Sequence, residues 1–119
     1  MLNDLTILAQ ASALARHADL RHKLVAENIA NTDTPGYKAK TLPAFDPQLA
    51  EEAENGSTIA ASQLTTPIEM RTRQASPDGN TVTVEEQMTV AIDAQGQHKA
   101  ALAIYRKSLE LLKLSVSHR

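Results

Sequence analysis

The chain has 119 residues, 42% of them apolar, and only three aromatic rings: Tyr37, Phe45 and Tyr105. A formal charge of −2 argues against a dedicated nucleic-acid binder, and the lack of cysteine excludes a disulfide framework, a thiolate metal site and a thiol nucleophile. A core so poor in aromatics must be filled with Leu, Ile, Val and Ala, which suits helix–helix packing better than a β-sandwich.

No apolar run approaches the ~18 residues that span a bilayer. The first sixteen residues carry Asp4 early and Arg16 late, the reverse of a secretory signal's basic start, so export by a cleaved general signal is not expected. All five prolines and three of the four glycines fall within residues 32–81. Three parts follow: an N-terminal helix over 1–31, a turn and irregular middle over 32–81, and a C-terminal helix over 82–119.

In the first part Leu5, Leu8, Ala11, Leu14, Ala15, Ala18, Val25 and Ile29 share one broad helical face. Alanine is abundant there, which favours helix and lets a neighbour approach closely. Asn3 or Asp4 is the expected N-cap. The helix must stop near Asn31, because Thr34 precedes Pro35 and is pushed away from the α region.

The middle is acidic around Glu51, Glu52 and Glu54 and shows little periodicity. Short strands are expected near residues 59–61 and 68–72. Such a long structureless stretch is more reasonable in a segment that orders on assembly.

The C-terminal part carries the clearest pattern. Met88, Gln95, Leu102, Leu109 and Val116 recur every seven residues, with Ala91, His98, Tyr105 and Leu112 between them. This is a heptad seam interrupted by Gln95 and His98. Val90, Ala94, Ala101, Ile104 and Leu111 form a second row beside it, a stripe wider than one partner helix covers. Thr83 and Glu86 have capping-box spacing, and Pro77-Asp78-Gly79-Asn80 is a turn. The expected fold is mainly α: two long terminal helices paired as a coiled-coil-like hairpin around an irregular middle with at most short β segments. A lone pair of this kind has a core two helices thick, so the chain is expected to complete its core against other chains.

Little points to catalysis. His17 and His22 are five apart and do not share a helix face as a helical zinc pair does. His98, on the seam, is placed to meet Gln95 or a carboxylate of a partner helix, and His118 is in the tail. Glu85 and Glu86 suit a helix N-terminus. No phosphate loop, nucleophile elbow or triad is visible. No catalytic residue, cofactor, metal or small-molecule substrate is expected. A small helical hydrolase using His17 or His22 as base is the remote alternative to a structural protein, and a soluble helical adaptor or export chaperone the nearer one.

One short stretch is specific: Asn28-Ile29-Ala30-Asn31-Thr32-Asp33-Thr34-Pro35-Gly36-Tyr37. It reads as a helix end with asparagines able to cap carbonyls or adopt left-handed conformations, then a Pro-Gly turn, then an extended exit led by an aromatic. The arrangement resembles the signature of bacterial flagellar axial proteins, the rod and hook family. Two terminal helices with a short middle are similar to its proximal rod members, and Pro77 to Glu85 ahead of a long helix agrees. The resemblance implies a structural rod subunit, with Asn28, Asn31, Thr34, Pro35, Gly36 and Tyr37 as motif residues. It also implies delivery by the flagellar type III export apparatus. The implied partners are other copies, rod proteins of the FlgC and FlgF types and the junction protein FliE. Leu14, Ala18, Val25, Ile29, Met88, Ala91, Leu102, Tyr105, Leu109, Leu112 and Val116 are the expected packing and polymer-interface residues.

Overall fold

The structure, a computed structural model, describes residues 2–71 and 75–117, with side chains from Leu5 onward. Two long helices, α1 (Leu2–Ala30) and α4 (Val84–Ser117), run antiparallel and form the body of a molecule 67 × 27 × 19 Å. Between them come β1 (Lys40–Thr41), α2 (Pro47–Glu54), α3 (Thr58–Thr65) and β2 (Ile68–Glu69). The two strands pair antiparallel, Lys40 opposite Glu69 and Thr41 opposite Ile68. The paired terminal helices expected from the sequence are therefore present.

The phase of the seam differs from the expected one. The row of α4 buried against α1 is Gln87, Ala94, Ala101 and Ser108, a seven-residue repeat set one residue ahead of Met88, Gln95, Leu102 and Leu109. On α1 the buried positions include Ala11, Ala18 and Val25, with Leu14 half-buried. Small side chains win the seam because they let two backbones approach closely, so the bulkier neighbours are displaced to the flanks. Of the eleven buried apolar residues among those described, seven are alanines. By contrast, fifteen large apolar side chains are exposed, ten of them on α4. Met88 is 58% exposed, Tyr105 41% and Val116 61%. Ala91 and Leu112 are half-buried, and Ile29 on α1 is exposed.

The middle contains two short helices rather than a strand near residues 59–61. Asp46 caps α2 by accepting from Gln48 N, with Pro47 in the first turn. α2 stops at Gly56, φ +97, where Ser57 N–H reaches Glu52 O and Gly56 N–H reaches Ala53 O, a Schellman ending. Ser57 then caps α3 through its hydroxyl and Ala60 N–H. Ala50, Ala60 and Leu64 are buried. The second expected strand is present but shorter, and Thr72 lies outside the described residues.

Two expected caps are not formed. α1 already begins at Leu2, so Asn3 and Asp4 lie within it, and their side chains are outside the described residues. At α4 Thr83 contributes its carbonyl, to Gln87 N–H, and Glu86 Oε2 is buried without a hydrogen-bond partner. The capping box is displaced because the chain entering α4 is held by other contacts.

Candidate functional site

Those contacts form a polar knot where α1 ends, the middle begins and α4 starts. Asn28, on the last turn of α1, is fully buried. Its amide nitrogen donates to Lys40 O (2.8 Å) and Gln87 Oε1 (2.9 Å). Its oxygen accepts from Lys40 N–H (3.0 Å) and the Tyr37 hydroxyl (3.3 Å). All the bonding capacity of the amide is used, and it ties the end of α1 to two other pieces of chain, the exit from the turn at Tyr37 and Lys40 and the start of α4 at Gln87. Gln87, equally buried, directs its remaining NH2 toward Met70 Sδ at 3.2 Å. Replacing Asn28 by an apolar residue would orphan buried groups at about 1–3 kcal/mol each.

Asn31 seals the helix end. Its side chain donates to Glu27 O (2.8 Å) and accepts from the Thr34 hydroxyl (3.0 Å). Among the described residues no non-glycine has positive φ, so the asparagines cap carbonyls and do not take the left-handed alternative. Tyr37 N–H closes the Thr34-Pro35-Gly36-Tyr37 turn on Thr34 O (3.2 Å), with Gly36 at φ +73, as a type II turn requires. Tyr37 is half-buried. Burial and the nearby Glu27 carboxylate raise its phenol above the usual 10, so it stays a donor at neutral pH.

Sequence reasoning treated residues 77–80 as a turn and missed the role of Asn80. This residue, 2% exposed, donates from one nitrogen to Asn31 O (2.8 Å) and Thr34 O (2.7 Å). Its oxygen accepts from Val82 N–H. Gly36 N–H donates to Asp78 O and Thr81 N–H to Tyr37 O, both at 2.9 Å, and Thr81 Oγ1 takes Ala39 N–H at 2.8 Å. The signature turn and the segment before α4 are thus sewn together, although 46 positions separate Asn80 from Thr34. The available signal was an asparagine after Asp-Gly, a residue type that bonds its own backbone two positions on.

A second cluster lies at mid-hairpin. His17 Nε2 is 2.8 Å from Pro43 O and His17 Nδ1 is 2.9 Å from Gln97 Nε2. Arg21 bonds Gln97 Oε1 and pairs with Asp93, both at 2.8 Å. His98 faces Asp19 of α1 at 3.7 Å, the carboxylate of a partner helix that the sequence suggested. No group of three or more metal-ligating side chains exists among the described residues, and no described helix is long and apolar enough to cross a membrane. The two clusters position chain segments.

The molecule is thus a pair of terminal helices knotted at the signature turn, with most of its large apolar side chains on α4 exposed. Residues 7–38, which contain α1 from Ile7 onward and the whole turn, match the family model described as "Flagella basal body rod protein". The chain belongs to this flagellar rod protein family. Its curated relatives include the flagellar basal body rod protein FlgB of Escherichia coli (strain K12) and that of Shigella flexneri. Each is 34% identical over an alignment of 118 positions covering 84% of either chain. The chain is a structural subunit of the flagellar basal-body rod, FlgB-like in sequence, from a family of structural proteins.

Proposed function

We propose that the chain polymerises into the proximal rod through the large apolar side chains that its own hairpin leaves outside, and that motor torque passes along the resulting helical core. One observation carries this reading: the small residues face inward, while Met88, Leu102, Tyr105, Leu109 and Val116 are between 36% and 61% exposed on α4. Exposed apolar surface of this extent is costly in water and marks an interaction face. Ala91 and Leu112, half-buried at the seven-residue spacing of Tyr105, and the exposed Ile29 of α1 are assigned to the same interface, while Leu14, Ala18 and Val25 are assigned to the packing within one copy. Asn28, Asn31, Thr34, Pro35, Gly36 and Tyr37 act as a structural clasp at the hairpin end. In this reading the chain is not an enzyme. Its neighbours are further copies, the FlgC- and FlgF-type rod proteins and FliE at the membrane-ring side. It reaches the periplasmic rod through the flagellar type III export apparatus.

Deletion tests the reading. Chains lacking residues 1–10 or 110–119 should be absent from purified basal bodies when probed by immunoblot, whereas small insertions within the 47–65 segment should be carried in. A terminal truncation that still supports motility would contradict it.

A further inference from the structure

The environment of His17 selects one neutral tautomer. The ring is 5% exposed. Pro43 O, 2.8 Å from Nε2, can only accept, so Nε2 carries the proton. Gln97 Nε2, 2.9 Å from Nδ1, can only donate, so Nδ1 is bare. The Gln97 amide is held in this orientation, because its oxygen accepts from Arg21 at 2.8 Å and its nitrogen also donates to Leu14 O at 3.0 Å. Turning it over would set oxygen against oxygen and an NH2 against the guanidinium.

The charged groups around the ring offer no alternative acceptor. Arg21 is beside it on α1 and is paired with Asp93 of α4. Arg16, one residue before His17, is 3.3 Å from Glu54 of α2. Asp19 faces His98 on α4. The segment leading into α2 presents the Phe45 ring, edge-on at 5.5 Å, with Asp46 committed to the α2 cap. From α3 only uncharged side chains, Ala61, Leu64 and Thr65, reach the adjoining cavity. None of the carboxylates is hydrogen-bonded to the imidazole among the described residues.

We propose that His17 is an acid-sensitive latch holding the segment 43–65 against the α1–α4 pair. A proton taken from water onto Nδ1 meets the Gln97 NH2 donor head-on and leaves a buried imidazolium whose Nε2–H still donates to Pro43 O, so the charge is hydrated only when the ring leaves this pocket. The surface that then separates is weakly packed: a cavity of about 380 Å³ lies between α1, α2 and α3, between Leu20, Phe45 and Ala50. The knot around Asn28 holds the rest of the hairpin and contains no group that ordinarily titrates between pH 5 and 8.

The direction of the effect follows from linkage. Burial is the main influence on His17, Arg21 adds to it, and together they lower its pKa below the usual 6.5 against the opposing Pro43 hydrogen bond. The closed form therefore binds fewer protons than the open one. Its advantage is complete above pH 6.5 and is lost as the pH falls from 6.5 toward the lower folded value.

Amide hydrogen exchange on the full-length chain, corrected for intrinsic rates at pH 7.5, 6.5 and 5.5, tests the latch. Protection of residues 47–65 should fall severalfold over that range while α4 keeps its own. His17→Gln should flatten the profile, and His98→Gln should leave it intact. An unchanged profile in His17→Gln, or equal loss of protection in every helix, would overturn the proposal. A long-range proton–nitrogen spectrum of the wild-type imidazole provides a readout independent of any variant. It should show the Nε2–H tautomer at neutral pH, and the Nδ1–H tautomer would refute the latch.

Discussion

At Gly36 the space around the residue and the backbone conformation make different demands, and they can be separated. A Cβ there would meet nothing within 4 Å, yet φ is +73. The penalty for a side chain is therefore conformational, roughly 1–2 kcal/mol for an ordinary residue and larger for a β-branched one. Gly36→Asn should be tolerated better than Gly36→Val, because asparagine visits this region more readily. Thr58→Val, on an exposed residue of α3, should be milder than either. Urea unfolding of the three variants checks the order, and equal stabilities would show that the turn is not under this constraint. Position 36 was legible because proline followed by glycine specifies a turn chemically. The partners of Asn28 and Asn80 were not, since Gln87 and Thr34 lie 59 and 46 positions away and no local pattern links them. Asn28 itself belonged to the signature, but its burial could not be read from a polar residue near a helix end.

At the level of helices, periodicity revealed α1 and α4 but not the phase of their contact. The sequence ranks faces by hydrophobicity, and the face with Leu102 and Leu109 ranks above the one with Gln87, Ala94, Ala101 and Ser108. The intrachain seam selects for closeness instead. This makes an unusual prediction for the isolated chain. Ala101→Leu, at 1% exposure, should overpack the seam and cost roughly 1–3 kcal/mol. Leu102→Ala, at 38% exposure, should cost much less than the 2–5 kcal/mol of a buried leucine. Chemical denaturation of the two variants decides the point, and the opposite ranking would return Leu102 to the hairpin core. The short helices α2 and α3 escaped notice because each is only eight residues long, too short for a period to emerge. Their caps were nonetheless written in the sequence: Asp46 ahead of Pro47, and Ser57 after Asn55-Gly56.

For the whole molecule, the distribution of side-chain size separates what one chain completes from what it offers. A thin hairpin with an alanine seam and, among the described residues, fifteen exposed large apolar side chains completes little of its own core. Polymerisation would bury that surface in every copy, which accounts for a rod subunit with so few rings and so much leucine on one helix. The chain has no cysteine, so a single introduced thiol reports on one position alone. Leu102→Cys, Leu109→Cys and Val116→Cys sample the outer face, and Ala101→Cys and Ser108→Cys sample the seam. The decisive measurement is thiol cross-linking of these five variants in assembled basal bodies with a short bifunctional maleimide, resolved by mass on denaturing gels. Cross-links to a second rod chain should form from positions 102, 109 and 116 and not from 101 and 108. Cross-linking from the seam positions, with the outer face silent, would contradict assembly through the exposed row.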